Sequence, residues 1–142
     1  MEPRTYYTHN PRLKVNIIET PRATVIRIDG RITLYDNTAS TYRDLLQDLI
    51  RQGNLFLLIN LENVSYIDST GIGELVSGFT NVTNHGGQLK LCCMKGRVKD
   101  LLQITNLYTV FEVYDDEHSG LRSFPAPVRA PNEHHAYREY SW

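Results

Sequence analysis

The sequence predicts an α/β domain, a mixed β-sheet with an N-terminal antiparallel hairpin and helices packed on it. Three observations predict it. Val15 and Ile17, then Val25, Ile26 and Ile28, make two strand-like runs on either side of a Thr20-Pro21-Arg22 break, the pattern of a hairpin. Downstream, helical apolar spacing alternates with short apolar runs, as expected of parallel strands joined by right-handed helical crossovers. Leu55-Phe56-Leu57-Leu58-Ile59 has no polar interruption, which suits a strand at the middle of a sheet covered on both faces.

Taken in order, residues 1–12 carry Pro3 and Pro11 with little apolar spacing and read as a flexible arm; the domain spans 13–124. Gly30 ends the second strand. Ala39, Tyr42, Leu45, Leu46, Leu49 and Ile50 form a helical stripe. Asp36, Asn37 and Thr38 are each competent caps for it, and Gly53 is a fitting residue past its end. After the apolar strand 55–61, Ile72, Leu75, Val76, Phe79 and Val82 line one face of a second helix, with Glu74, Ser77, Thr80, Asn81 and Asn84 on the other. Gly86-Gly87 stops it. Residues 89–93 read as the next strand, Val98, Leu101 and Leu102 as a third helix, 110–114 as a further strand, and 117–124 as a short last helix. From Pro125 the chain is proline-rich and polar, and 125–142 is expected to be a mobile tail.

Composition narrows the function. The 142 residues suffice for one domain with a proper core. Fifteen basic residues against sixteen acidic ones give no strong field toward nucleic acid or a membrane surface. No apolar run is long enough to cross a bilayer, and the start is unlike a signal peptide. Cys92 and Cys93 are neighbours that a strand would point to opposite faces. They make no disulfide framework and no Cys-x-x-Cys metal spacing. They read as two small core or half-buried residues in a reduced, cytoplasmic setting.

The candidate site is Asp68-Ser69-Thr70-Gly71-Ile72-Gly73, where the apolar strand feeds the second helix. Hydroxyls are exposed at such a junction and backbone N–H groups lack partners. Each glycine inside a helix costs about 1 kcal/mol against alanine, so two in the first turn point to a steep turn or a close approach. Asp68, Ser69 and Thr70 are three candidates for one cap, a task worth about 1 kcal/mol; capping alone underexplains the composition.

Catalytic readings fail on spacing. A hydrolase elbow carries glycines two residues either side of its serine, and here those positions are Ile67 and Gly71. His85 lies at the far end of the helix that Ser69 begins, roughly 22 Å away over about fifteen residues. His118 has no signal in its favour, and His9, His134 and His135 lie in the arms. A Walker loop needs a lysine after its last glycine, where this chain has Glu74. No catalytic residue, metal site or cofactor follows. Tyr6, Tyr7, Tyr137, Tyr140 and Trp142 read as scattered arm residues.

Leu58-Ile59-Asn60-Leu61, Val64-Ser65-Tyr66-Ile67 and the Asp-Ser-Thr-Gly-Ile-Gly run that follows closely resemble the STAS domain of bacterial anti-sigma factor antagonists. The likeness continues through Gly86-Gly87-Gln88-Leu89 and residues 107–113, over about 13–124 in all. It implies a binding module, not an enzyme, whose unmodified form captures an anti-sigma factor and so frees a sigma factor. That anti-sigma factor is often a serine kinase that phosphorylates the antagonist, and a phosphatase reverses the step. The resemblance places the phosphorylated residue at Ser69 and the partner-binding surface at 68–73 with Thr33 and Asp36. The family usually carries an aspartate just after the glycine that ends the second strand. Here Gly30-Arg31-Ile32 leads to Thr33 through a loop about two residues longer; either Asp36 takes the aspartate's place or the acidic group is missing. The alternative function is a scaffold subunit of a signalling assembly, or a small partner of a transport system, without a phosphoswitch.

Overall fold

The computed structural model describes residues 3–127. Six strands form one mixed sheet in chain order. β1 (Arg4–Tyr6), β2 (Leu13–Glu19) and β3 (Thr24–Ile32) pair antiparallel. β4 (Phe56–Ile67), β5 (Gln88–Cys92) and β6 (Val113–Tyr114) add in parallel beyond β3. The connecting helices are α1 (Thr38–Arg51), α2 (Ser69–Asn84) and α3 (Gly96–Ile104), with a single 3₁₀ turn at Leu107–Thr109. A short α4 (Glu117–Arg122) closes the described chain. Among the described residues no helix is long and apolar enough to cross a membrane.

The period-two alternation of β4 divides the interior. Leu57, Ile59 and Leu61 enter the main core with Ile26, Ile28, Leu45, Leu49, Leu75 and Leu91. Leu58 points the other way, into a smaller core with Val25, Cys92 and Phe124. α1 and α2 pack closely enough that a Cβ on Gly78 would stand 2.7 Å from Leu46 Cδ1. The expected stripes of both helices are the faces that pack inward, with Tyr42, Leu45, Leu49, Leu75 and Val82 at 1% exposure or less.

Four local expectations are corrected. Residues 4–6, inside the stretch read as an arm, form an edge strand. Long-range bonds hold them there: Tyr6 Oη donates to Asp48 at 2.8 Å, and Arg4 pairs with Glu19 at 3.3 Å. β4 runs on to Ile67, six residues past Leu61, and its register with β3 shifts twice on the way. Residues 110–114 contribute only Val113 and Tyr114 to the sheet, because the 3₁₀ turn occupies the approach. Cys93 lies outside β5 with φ at +65°, so the two cysteines do not alternate as they would along a strand. The tail read at 125–142 lies outside the described residues from 128 on, as do His134, His135, Tyr137, Tyr140 and Trp142.

α4 is fastened to the second face by a cluster of polar groups. Glu117 receives Arg27 through Nε and Nη2, at 2.7 and 2.8 Å, and the Asn60 amide as well. The Arg27 hydrogen bonds, with Asn60 assisting, hold the Glu117 carboxyl below its ordinary range. A depressed carboxyl stabilises the fold above its unfolded value, about 4.3, and that stability is lost as pH falls through the depressed folded value. Glu117→Gln is therefore expected to lower the melting midpoint at pH 7 and to flatten its decline below about pH 4.3, read by thermal melts across an acid series.

Candidate functional site

The site forms where β3 and β4 end side by side. Ile32 and Ile67 are the last residues of these strands and are in register. Beyond Ile32 the chain turns through residues 33–37 into α1; beyond Ile67 it passes through Asp68 into α2. Asp68 joins the two exits. Its backbone N–H donates to the Ile32 carbonyl at 3.3 Å. Its carboxylate accepts the Gly71 N–H at 2.8 Å as the cap of α2, and the Leu34 N–H at 2.9 Å.

With Asp68 as the cap, Ser69 is released from that task. It occupies the first position of α2 and is exposed, and its hydroxyl makes no hydrogen bond to a described residue. The backbone N–H groups of Ser69 and Thr70 are likewise without partners among the described residues, as the first N–H groups of a helix ordinarily are.

The two glycines separate into different tasks. At Gly71 a Cβ would stand 2.2 Å from the Ile32 carbonyl oxygen and 2.7 Å from Ile67 Cγ2. Bare backbone there lets the helix start press against the ends of both strands. At Gly73 a Cβ would meet nothing within 4 Å, and the residue is exposed. The fold does not require Gly73. Thr70 and Ile72 are half-buried, and Ile72 leans on the main core. Glu74, one turn on, pairs with Arg43 of α1 at 3.5 Å.

Thr33 and Asp36 are neighbours but face inward, each 5% exposed. The Thr33 hydroxyl donates to the Asp36 carboxylate at 2.8 Å and accepts the Asp36 N–H at 3.1 Å. Arg31 at 3.0 Å and Arg12 at 3.3 Å complete the carboxylate's surroundings. The Thr33 hydrogen bond, with Arg31 and then Arg12 assisting, holds the Asp36 carboxyl below its usual range. Asn10 donates to the Asp36 carbonyl at 2.8 Å, so the stretch before β2 also braces this loop. None of the three caps considered for α1 bonds as a side-chain cap: Asn37 sits at the cap position with φ at +59° and no such bond.

Between these inward groups, Leu34 and Tyr35 stand out, 65% and 85% exposed. Sequence reading passed over both. They fall between Gly30 and the capping cluster, off the alternation of β3 and off the stripe of α1, and that misplacement was the available signal. The Leu34–Asp68 bond ties their loop to the residue that precedes Ser69. His85 caps the opposite end of α2, its ring on the Asn81 carbonyl at 2.8 Å. Among the described residues no group of three or more His, Cys, Asp or Glu is placed to hold a metal ion.

The family model of the STAS domain matches residues 14–120. The chain belongs to the STAS domain family. The anti-sigma-B factor antagonist of Bacillus subtilis (strain 168) is 33% identical over 110 residues, which span 78% of this chain and 98% of that protein. The anti-sigma F factor antagonist of Paenibacillus polymyxa is 22% identical over 98 residues, 68% of this chain and 82% of that one. Among solved structures, an anti-sigma factor antagonist from Mycobacterium paratuberculosis matches with a TM-score of 0.71 at 14% identity, over 83% of this chain and 98% of the other. The Bacillus cell fate determinant SpoIIAA in its phosphorylated form matches with a TM-score of 0.59 at 19% identity, over 76% and 96%. At these identities the structural likeness shows the fold alone.

Within this STAS domain the glycines give a paired test. Gly71→Ala is expected to destabilise by about 1–3 kcal/mol through overpacking against the Ile32 carbonyl. Gly73→Ala, free of contacts, is expected to stabilise by about 1 kcal/mol through helix propensity. Urea unfolding of both variants measures the difference; equal effects of the same sign would show that the two positions are not distinct.

Proposed function

We propose that this chain is an anti-sigma factor antagonist whose docking surface is the start of α2 with the adjoining loop 33–36, and that phosphorylation of Ser69 ends the capture. The observation that carries the reading is the exposed, unbonded Ser69 hydroxyl at a helix start whose cap Asp68 already supplies. The curated relatives named as anti-sigma factor antagonists support the choice of partner. A cytoplasmic setting accords with such a partner, and the domain binds protein rather than nucleic acid or membrane and carries out no catalysis.

A phosphoserine carries between one and a half and two negative charges at neutral pH. At position 69 it stands where helix N–H groups favour an anion, and the N–H groups of Ser69 and Thr70 are free to receive it. Asp68 is engaged by two backbone donors and Glu74 by Arg43, so the fold tolerates the added charge. Docking does not. Burying the phosphate against a partner shaped for a neutral hydroxyl costs desolvation, and about 3 kcal/mol of penalty already weakens binding roughly a hundredfold. A serine kinase, often the anti-sigma factor itself in such systems, adds the group and a phosphatase removes it.

The members of the predicted site that are engaged within the fold take positioning roles. Thr33 and Asp36 hold the loop, Asp68 ties it to α2, and Gly71 lets the helix approach. Ser69, Gly73, Leu34 and Tyr35 are the surface that a partner touches, with Thr70 and Ile72 at its edge. Tyrosine is enriched among the residues that anchor protein interfaces.

Two titrations against the cognate anti-sigma factor test this. Ser69→Asp is expected to keep its melting midpoint and bind roughly a hundredfold more weakly, equivalent to about 3 kcal/mol, while Ser69→Ala binds like wild type and takes up no phosphate from the kinase. Wild-type affinity in the Asp variant contradicts the switch. Tyr35→Ser and Leu34→Ser, both at exposed positions, are each expected to weaken capture at least tenfold, about 1.4 kcal/mol, with no loss of stability; unchanged affinity in both removes loop 33–36 from the docking surface.

A further inference from the structure

Cys92 and Cys93 are the only cysteines of the chain, and the proposed docking surface includes neither. Their thiols stand together: Cys93 Sγ lies 3.3 Å from Cys92 Sγ. An extended backbone would have sent them to opposite faces. The reversal comes from Cys93, whose φ of +65° lies in the left-handed region that residues with a Cβ rarely enter. Its N–H, donated to the Tyr114 carbonyl at 3.0 Å, holds that turn against β6. The two sulfurs differ in access. Cys92 is 0% exposed within the second core. Cys93 is half-buried and lines a cleft with Arg27, Asn60, Asp116 and Glu117. One cysteine thus borders a cleft while the other, its sulfur 3.3 Å away, is buried.

We propose that Cys92 and Cys93 form an oxidation site, at which a hydroperoxide converts the neighbouring thiols into a reversible disulfide within the chain. In the first step Cys93 sulfur attacks the peroxide: the O–O bond breaks, an S–O bond forms, sulfur is oxidised by two electrons, and the peroxide leaves as an alcohol or as water. In the second step Cys92 sulfur attacks the sulfenic sulfur of Cys93. The S–S bond forms, the S–O bond breaks, and the hydroxide leaves as water with the Cys92 proton. A resolving thiol beside an accessible one is the arrangement that stops oxidation at a reversible stage.

The geometry also sets how the pair responds. Neighbouring Cα atoms are about 3.8 Å apart, short of the roughly 4.4 Å that is the usual lower limit across a disulfide. Such a bond is strained and yields readily to reductants. Burial pushes both thiols up, with the carboxylates of Glu117, Glu62 and Asp116 adding to the effect on Cys93. Little thiolate is present at neutral pH, so the pair resists mild oxidants and reacts under strong peroxide exposure.

The test treats the whole folded chain with excess hydrogen peroxide, then uses thiol titration and non-reducing peptide mapping. The expected product has lost one hydrogen from each cysteine, with both thiols disappearing together and both restored by dithiothreitol. Cys92→Ser is expected to leave Cys93 gaining oxygens instead, and Cys93→Ser to leave the buried Cys92 unmodified. Accumulation of oxygens on wild-type Cys93 beside a free Cys92 would overturn the proposal. So would disulfides found only between chains, or two intact thiols after Met94 has been oxidised.

Discussion

Asp68 is the residue on which the organisation of the site depends. One carboxylate accepts two backbone N–H groups, from Gly71 at 2.8 Å and from Leu34 at 2.9 Å. The first starts α2; the second fastens a loop that belongs to a different crossover. Hydrogen bonds to a charged acceptor contribute about 1.5–3 kcal/mol each, so the two together set both the helix start and the position of loop 33–36. Because Asp68 satisfies the helix, Ser69 need not. An unengaged hydroxyl at a helix start is a consequence of that division of labour.

Support for the loop comes from within it as well. Asp36, nearly buried, gathers the Thr33 hydroxyl and the guanidinium groups of Arg31 and Arg12. The two arginines come from β3 and from the approach to β2, so a single carboxylate ties three segments together. Leu34 and Tyr35 are left projecting between two fixed points, Thr33–Asp36 beneath and Asp68 alongside. Large side chains held out on a braced loop lose less conformational freedom on binding than the same side chains on a mobile one, which favours association. The Asp36 carboxylate faces inward and serves the architecture of the loop, not its outer surface.

How much of this was legible in the sequence depends on whether the deciding contact is local. The period of two in Leu57, Leu58 and Ile59 and the three-and-four spacing of α1 and α2 are written in consecutive residues, and they located the centre of the sheet and the helices on it. β1 carries no apolar pattern; Tyr6 is held by Asp48, 42 residues away. The far end of β4 was obscured because Glu62, Asn63, Ser65 and Tyr66 are exposed where the ladder to β3 shifts register. At the site, the strand-to-helix junction could be read, but not which of three side chains caps it. That choice involves the N–H of Leu34, 34 residues earlier. Leu34 and Tyr35 left only an indirect sign, two apolar residues off both the alternation of β3 and the stripe of α1; the bond that fixes their loop, to Asp68, is not local.

The two glycines of one short motif face opposite ways, one into the fold and one away from it. Gly71 lies on the inner side of the first turn, where the Ile32 carbonyl leaves no room for a methyl group. Gly73 is two residues on, about 200° around the helix axis at 3.6 residues per turn, and faces open space. Helix geometry alone therefore assigns alternate residues of the motif to opposite duties: Gly71 to the fold, Ser69 and Gly73 to the outside. An anion on Ser69, as proposed, enters on this exposed side, beside N–H groups that have no partner among the described residues. The same charge changes the outer surface completely. Under the proposed switch, the modification changes the docking surface while the scaffold beneath it, fixed by Asp68 and Gly71, stays as it was.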